Sequence, residues 1–361
     1  VSAALPTLVA VFAAAVVLTG AVRRYALARS VMDIPNERSS HTVPTPRGGG
    51  LAIAATFLAG TCVLWAAGVV PPRVAAALAV GGATIAAVGW WDDHRSLSVR
   101  WRLPAQTLAA ALAVWLVGGM PAVSVGVAAV PLGWGGAVLA VVGVVWSLNL
   151  FNFMDGIDGI AGGETVTVGV AGGALMAILG APGLAAGAWA LAAAAGGFLP
   201  WNWQRARIFM GDVGSSLLGF VFAVLAVASE NAGSLPVLCW AMLCGVFIFD
   251  ATTTLVRRGM RGERVFDAHR SHAYQRAVQA GFSHAQVTST VIALNLVLAA
   301  LAAVGALRPR LLPAAFGAGL VLLCAVYLWV ERLRPMYPRP ARAPAPAPSA
   351  RRDAGVIGPR R

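Results

Sequence analysis

Gly135 to Gly163 reads GGAVLAVVGVVWSLNLFNFMDGIDGIAGG. From Gly135 to Leu150 the run is almost wholly apolar, and it approaches the about 20 residues that cross the hydrocarbon of a bilayer. Just where it ends, Asn149, Asn152, Asp155 and Asp158 appear at three-residue intervals. A membrane span that finishes in amides and carboxylates sets the fold class, an all-α polytopic integral membrane protein, and also marks where to look for chemistry.

The rest of the chain agrees. Only 11% of the 361 residues are charged and 58% are hydrophobic, whereas soluble domains carry about 25% charged residues. Apolar runs fall near 5–22, 49–70, 73–91, 104–119, 135–150, 162–180, 183–199, 213–229, 234–250, 288–306 and 311–330. The expectation is therefore one transmembrane domain of 10–11 helices over 1–334, the first run serving as a retained anchor. The stretch 335–361, rich in Pro, Ala and Arg, has no periodic apolar residues and reads as a disordered basic tail. Cys62, Cys239, Cys244 and Cys324 lack metal-ligand spacing and read as small buried hydrophobes.

The net charge of +13 comes from arginine alone, since lysine is absent. With alternating spans, 24 of the 27 arginines fall on one face, and only Arg73, Arg308 and Arg310 fall opposite. By the positive-inside rule the rich face is cytoplasmic. This distribution points to the lipid bilayer and an anionic substrate, with no nucleic acid. Ala122 to Gly133, alternating and glycine-punctuated, reads as a hairpin on the opposite face. Apart from Glu230, the acidic residues sit at or near the arginine-rich face.

Ionisable groups at membrane depth are costly and usually mark a pathway or a site. Asp92 and Asp93 end the third span in WWDDHRSLS; adjacent carboxylates need arginines or a cation to share the charge. The fifth position is Ser96, so this is not the DDxxD pattern of prenyl-diphosphate synthases. On a helix, Asn149, Asn152, Asp155 and Asp158 drift by about 60° per step, so neighbours share a side while the set spirals. Oxygen donors at a helix end suit Mg²⁺, which takes one or two carboxylates and completes its shell with phosphate and water.

Asp212 lies between Gly211 and Gly214 ahead of an apolar run, where it reads either as an N-cap or as part of a phosphate-binding helix start. His269, Arg270, His272 and Arg276 crowd an arginine-rich loop, read either as a solvated basic face or as a diphosphate grip. In the first loop Pro35, Pro44 and Pro46 exclude a long helix, Gly48 to Gly50 permit close packing, and Arg38, His41 and Arg47 face headgroups or a phosphate.

Taken in order, DIPNERSSHTVPTPRGGG, WWDDHRSLS, NLFNFMDGIDGIAGG and GDVGSSLLG resemble the motifs of the polyprenyl-phosphate N-acetylhexosamine-1-phosphate transferases, the membrane enzymes of glycosyltransferase family 4. The resemblance covers about Met32 to Arg276. It implies transfer of an N-acetylamino-sugar 1-phosphate from a UDP-sugar to undecaprenyl phosphate, with Mg²⁺, for which Mn²⁺ can substitute. It is compatible with a homodimer. Position by position, it marks Asp92, Asp93, Asp158 and His272 as candidate catalytic residues and Asn152, Asp155 and Asp212 as candidate metal ligands. Asn149, Arg38, His41, Arg47, Gly211, Gly214, Arg270 and Arg276 are candidates for substrate binding. Where many members have HxHH, this chain has HAYQ, with Tyr274 and Gln275 in place of two histidines. RSHAYQR looks like the subgroup that initiates O-antigen-type polysaccharides rather than the peptidoglycan-precursor branch.

Rival readings explain less. A transporter would place its charges mid-span and show a pair of broken segments in corresponding halves. A CDP-alcohol phosphatidyltransferase needs the arginine of DGxxAR, which DGIDGIAGG lacks. A purely structural membrane protein leaves the clustered carboxylates unexplained.

Overall fold

The computed structural model describes residues 3–35, 43–95, 97–264 and 269–337, so Arg38, His41 and the tail beyond Tyr337 lie outside the described residues. The chain is an all-α membrane bundle. Helix α1 (Ala4–Ala28) leads into a short antiparallel pair, β1 (Met32–Asp33) and β2 (Thr45–Pro46), then α2 (Gly50–Ala66). The third span is α3 (Pro72–Ala76), a π-helical stretch and α4 (Gly82–Arg95), followed by α5 (Val99–Leu116). Strands β3 (Ala122–Val125) and β4 (Ala128–Pro131) form the expected hairpin. Helices α6 (Gly133–Met154), α7 (Ile160–Ile178), α8 (Pro182–Asn202) and α9 (Asp212–Asn231) build the centre. They are followed by α10 (Val237–Leu243), α11 (Gly245–Gly259), α12 (Ala273–Gln279), α13 (His284–Leu307) and α14 (Leu312–Leu333).

Each expected span coincides with helix, because a backbone in hydrocarbon has to satisfy its own hydrogen bonds. Among the described residues eight helices are long and apolar enough to cross a membrane, or nine with α10 and α11 counted as one. The two remaining expected spans fall on α2, which is short at 17 residues, and α5, whose first turn carries Arg100 and Arg102. The run near 234–250 departs from expectation: it is broken, α10 and α11 meeting at 82°. Beyond the bend, Asp250, Arg257 and Arg258 give α11 a polar side. The glycine-interrupted pair is two separate helices. Gly180, at φ +84°, ends α7, and Pro182 opens α8.

Helix α9 is the buried axis, packed by α2, α4, α6 and α8. Small residues bring its neighbours to backbone contact at the end where its chain enters: a side chain on Gly50 would strike the Gly214 backbone, and one on Gly89 the Asp212 backbone. At the far end Glu230 accepts from the Ser124 and Val237 N–H groups at 2.8 and 2.6 Å, so the one acid expected there anchors the hairpin. Cys239 and Cys244 are buried as expected, but Cys62 is exposed on the outer side of α2, which in a bilayer is a lipid-facing position as apolar as the core.

Candidate active site

Three elements meet at the N-terminus of α9. The segment carrying Arg47 is fixed to the approach of α9 by backbone bonds: Phe209 N–H donates to Pro46, and the Gly49 and Gly50 N–H groups donate to Phe209 and Met210, at 2.8 to 2.9 Å. From the end of α4, Asp93 accepts the N–H groups of Asp212 (3.0 Å) and Val213 (3.3 Å) and thereby caps α9. Arg47 Nη2 bridges Asp93 at 2.6 Å and Asp212 at 2.9 Å. Asp92 accepts from the Leu97 N–H (2.6 Å) and from Arg102 (2.5 Å), whose guanidinium lies 3.8 Å from Asp212 Oδ2.

The opening motif divides as its spiral requires. Asn149 faces α5 and donates to Gln106, while Asn152 faces α9 and donates to Ser215. Asp155 follows the last turn of α6. Asp158 accepts the Ala206 N–H at 3.1 Å and stands 3.4 Å from His284, while its carbonyl accepts from Thr288 on α13.

A cavity of about 220 Å³ opens among these groups, with Asn152, Asp155, Asp158, Asp212, Ser215 and Arg47 in its wall. A larger one of about 700 Å³ adjoins it and shares Asp158, Phe209 and His284. Burial, then the charge of Asp212, drives the Asp155 carboxyl well above its ordinary range, with Arg47 giving partial relief. Burial disfavours charge on Arg47, but Asp93, Asp212 and Asp33 outweigh it and raise its pKa.

Several expected residues are placed elsewhere. Neither Asp92 nor Asp93 lines the cavity: their oxygens hold the start of α5 and of α9. The α9 N-terminus does not present its first amides to a phosphate, because Asp93 has taken them. Gly214 is packed against Gly50, whereas Gly211 does line the cavity, its φ of +77° letting the chain pass the Asp93 carboxylate. Asn149 braces α5 and α6. Arg276 is buried and turned away, donating to Glu331 (2.6 Å) and to the Ser271 carbonyl, so it ties α12 to α14 rather than gripping a diphosphate. Arg270 is also absent from the cavity wall; its carbonyl accepts from Gln279.

His272 is buried beside Tyr274 and Phe153, 3.4 Å from Asp250, which caps α12 through the Ala273 and Tyr274 N–H groups. The cavity is faced instead by Gln275. Tyr274 donates to the Phe153 carbonyl at 3.1 Å and packs on Gly156, bracing the turn that presents Asp155. Tyr274→Phe leaves that carbonyl without its partner. We expect it to lower stability by about 1 kcal/mol and to reduce turnover, as measured by thermal melting and product formation on the same preparation.

Sequence reading passed over Ser215, Gln275, Asn202 and His284 as site residues. Asn202 accepts from the Gly159 N–H and donates to Ile208 beneath the cavity. A signal for His284 was present: Ser283 and Gln286 form a capping box, which fixes His284 in the first turn of α13.

The donors suit a hard divalent cation. Asp155 and Asp212 supply two carboxylates beside the amide and hydroxyl oxygens of Asn152 and Ser215 in one cavity wall. Among the described residues no group of three or more acidic, histidine or cysteine side chains is placed to hold a metal ion, so protein carboxylates alone do not complete a site. An open arrangement is the one expected for Mg²⁺, which draws its remaining ligands from substrate phosphates and water.

Residues 75–230 match the family described as Glycosyl transferase family 4. The chain is 31% identical over 309 residues to the decaprenyl-phosphate N-acetylglucosaminephosphotransferase of Mycobacterium tuberculosis, covering 74% of each chain. It is also 31% identical over 278 residues to the probable undecaprenyl-phosphate N-acetylglucosaminyl 1-phosphate transferase of Bacillus subtilis, covering 74% of this chain and 75% of the relative. A phospho-N-acetylmuramoyl-pentapeptide-transferase of Thermosynechococcus vestitus is 33% identical over 229 residues, 59% of this chain and 58% of the relative.

Proposed function

Since the chain belongs to glycosyl transferase family 4, whose matched members act on polyprenyl phosphate, we propose that it transfers an N-acetylamino-sugar 1-phosphate from a UDP-sugar to undecaprenyl phosphate. The observation that carries the proposal is the convergence of Asp155, Asp158, Asp212 and Arg47 on one cavity at the span ends. In the reaction an oxygen of the lipid phosphate attacks the β-phosphorus of the donor. The bond from that phosphorus to the bridging oxygen breaks, UMP leaves, and the sugar keeps its phosphate. The lipid phosphate is already largely ionised near neutral pH, so the chief demand is to bring two anions together rather than to remove a proton.

Asp155 and Asp212 would hold Mg²⁺, with Asn152 and Ser215 in support. The ion, when bound, supplies charge neutralisation for the diphosphate and the departing UMP. Asp93 acts beneath them by fixing the start of α9, and Asp92 by holding Arg102 beside Asp212. Asp158, steadied by Ala206 and His284, forms the wall between the two cavities and would orient the donor. The arginine distribution supports a cytoplasmic site, and the resemblance to undecaprenyl-phosphate transferases implies a bacterial inner membrane. The HAYQ segment supports the subgroup that starts O-antigen or related envelope polysaccharides, with Gln275 rather than a histidine at the cavity.

Purified protein given undecaprenyl phosphate and a panel of UDP-sugars is expected to release UMP with Mg²⁺ and to stop when the ion is chelated. Release with UDP-N-acetylmuramoyl-pentapeptide alone would move the chain to the peptidoglycan-precursor branch. No release with any donor would count against the transferase reading.

A further inference from the structure

Asp212 is asked to serve two cations. It lines the cavity beside Asp155, yet its Oδ1 already lies 2.9 Å from Arg47 Nη2, the same nitrogen that stands 2.6 Å from Asp93. A divalent ion and a guanidinium repel one another, so each weakens the other's hold on that one carboxylate.

The local structure lets one of them leave. The backbone carrying Arg47 is pinned to Phe209 and Met210, so the loop itself is held. Its side chain is 34% exposed, lies in the cavity wall and can swing about its own rotatable bonds. Asp93, 4% exposed, keeps the Asp212 and Val213 amides when the guanidinium departs. Of its cationic partners Asp212 then keeps only the more distant Arg102, at 3.8 Å, and so gains most from a replacement cation.

We infer that Arg47 is an exchangeable cation: it neutralises Asp212 in the substrate-free protein and turns to the donor's diphosphate when a divalent ion takes its place. The identity of the diphosphate rests on the transferase reading above; the exchange at Asp212 rests on the geometry. A planar guanidinium fork matches two phosphate oxygens, so the side chain exchanges one anionic partner for another. The consequence is reciprocal: nucleotide draws Arg47 from Asp212 and admits the metal, and metal releases Arg47 to the nucleotide.

The test is Mn²⁺ binding to the full-length protein in detergent, followed by electron paramagnetic resonance without and with UDP-N-acetylglucosamine. In the wild type the nucleotide should tighten Mn²⁺ binding by about 5- to 150-fold, the ordinary range for coupled sites. Arg47→Met should bind Mn²⁺ about tenfold more tightly than wild type before nucleotide is added, and should lose most of the coupling. Arg47→Gln serves the same purpose if Arg47→Met does not elute as a single folded species. Unchanged or weaker Mn²⁺ binding by the folded variant without nucleotide overturns the exchange, as does wild-type Mn²⁺ affinity indifferent to a UDP-sugar from which the wild type releases UMP. Failure of the transferase reading shows separately, as absence of UMP release by the wild type. The nucleotide-free Mn²⁺ titration still decides the exchange in that case.

Discussion

Asp212→Asn should lower turnover about a thousandfold, equivalent to about 4 kcal/mol at the transition state, in protein that remains folded. Asp155→Asn should do the same. Both residues face the cavity, and neither holds the fold together in the way Asp93 does. Each change keeps the shape of the side chain and removes one negative charge from the pair proposed to neutralise the diphosphate through the ion. Initial rates of UMP release, with size-exclusion profiles of the same samples, check this. Near-normal turnover in either folded variant removes that residue from the proposed metal site.

The second large effect is structural. Gly50→Val places a branched side chain where the Gly214 backbone already stands, and backbone cannot yield as a flexible side-chain tip can. Overpacking costs about 1 to 3 kcal/mol and sometimes more, and here the strain is applied to the joint that carries Arg47 against α9. The variant should melt at a lower temperature, and its surviving folded fraction should turn over poorly. Gly135→Ala is the control, because open space surrounds that helical position and its melting temperature should equal or exceed that of the wild type. Equal melting temperatures for Gly50→Val and the wild type would contradict the close packing of α2 on α9.

Much of this architecture could be read in advance. Hydrophobic run length located the helices, and glycine punctuation located the 122–131 hairpin. The three-residue spacing at Asn149 to Asp158 foretold a set whose members face different neighbours, as they do. What local sequence could not convey was which polar groups have their hydrogen bonds already committed. Arg276 looked available until Glu331, 55 positions away, was found to hold it. Asp93 read as a candidate catalytic residue, and in the fold its oxygens cap a helix that begins 119 residues later. His272 appeared to be the functional member of its segment, yet packing on Phe153 buries it and leaves Gln275 at the cavity. The break between α10 and α11 was hidden for a related reason. Hydropathy sums over a window and carries no information on helix direction, so an 82° turn within one apolar run does not register in it.

The central claim is that the sugar leaves its nucleotide with one phosphate attached. The direct test is a donor labelled with ³²P at the β-phosphorus, incubated with the purified protein, undecaprenyl phosphate and Mg²⁺. Transfer of the label into the lipid phase, with unlabelled UMP in water, is the predicted result. Label left in the aqueous phase as UDP, with sugar alone on the lipid, would show cleavage at the sugar's carbon and would contradict the account.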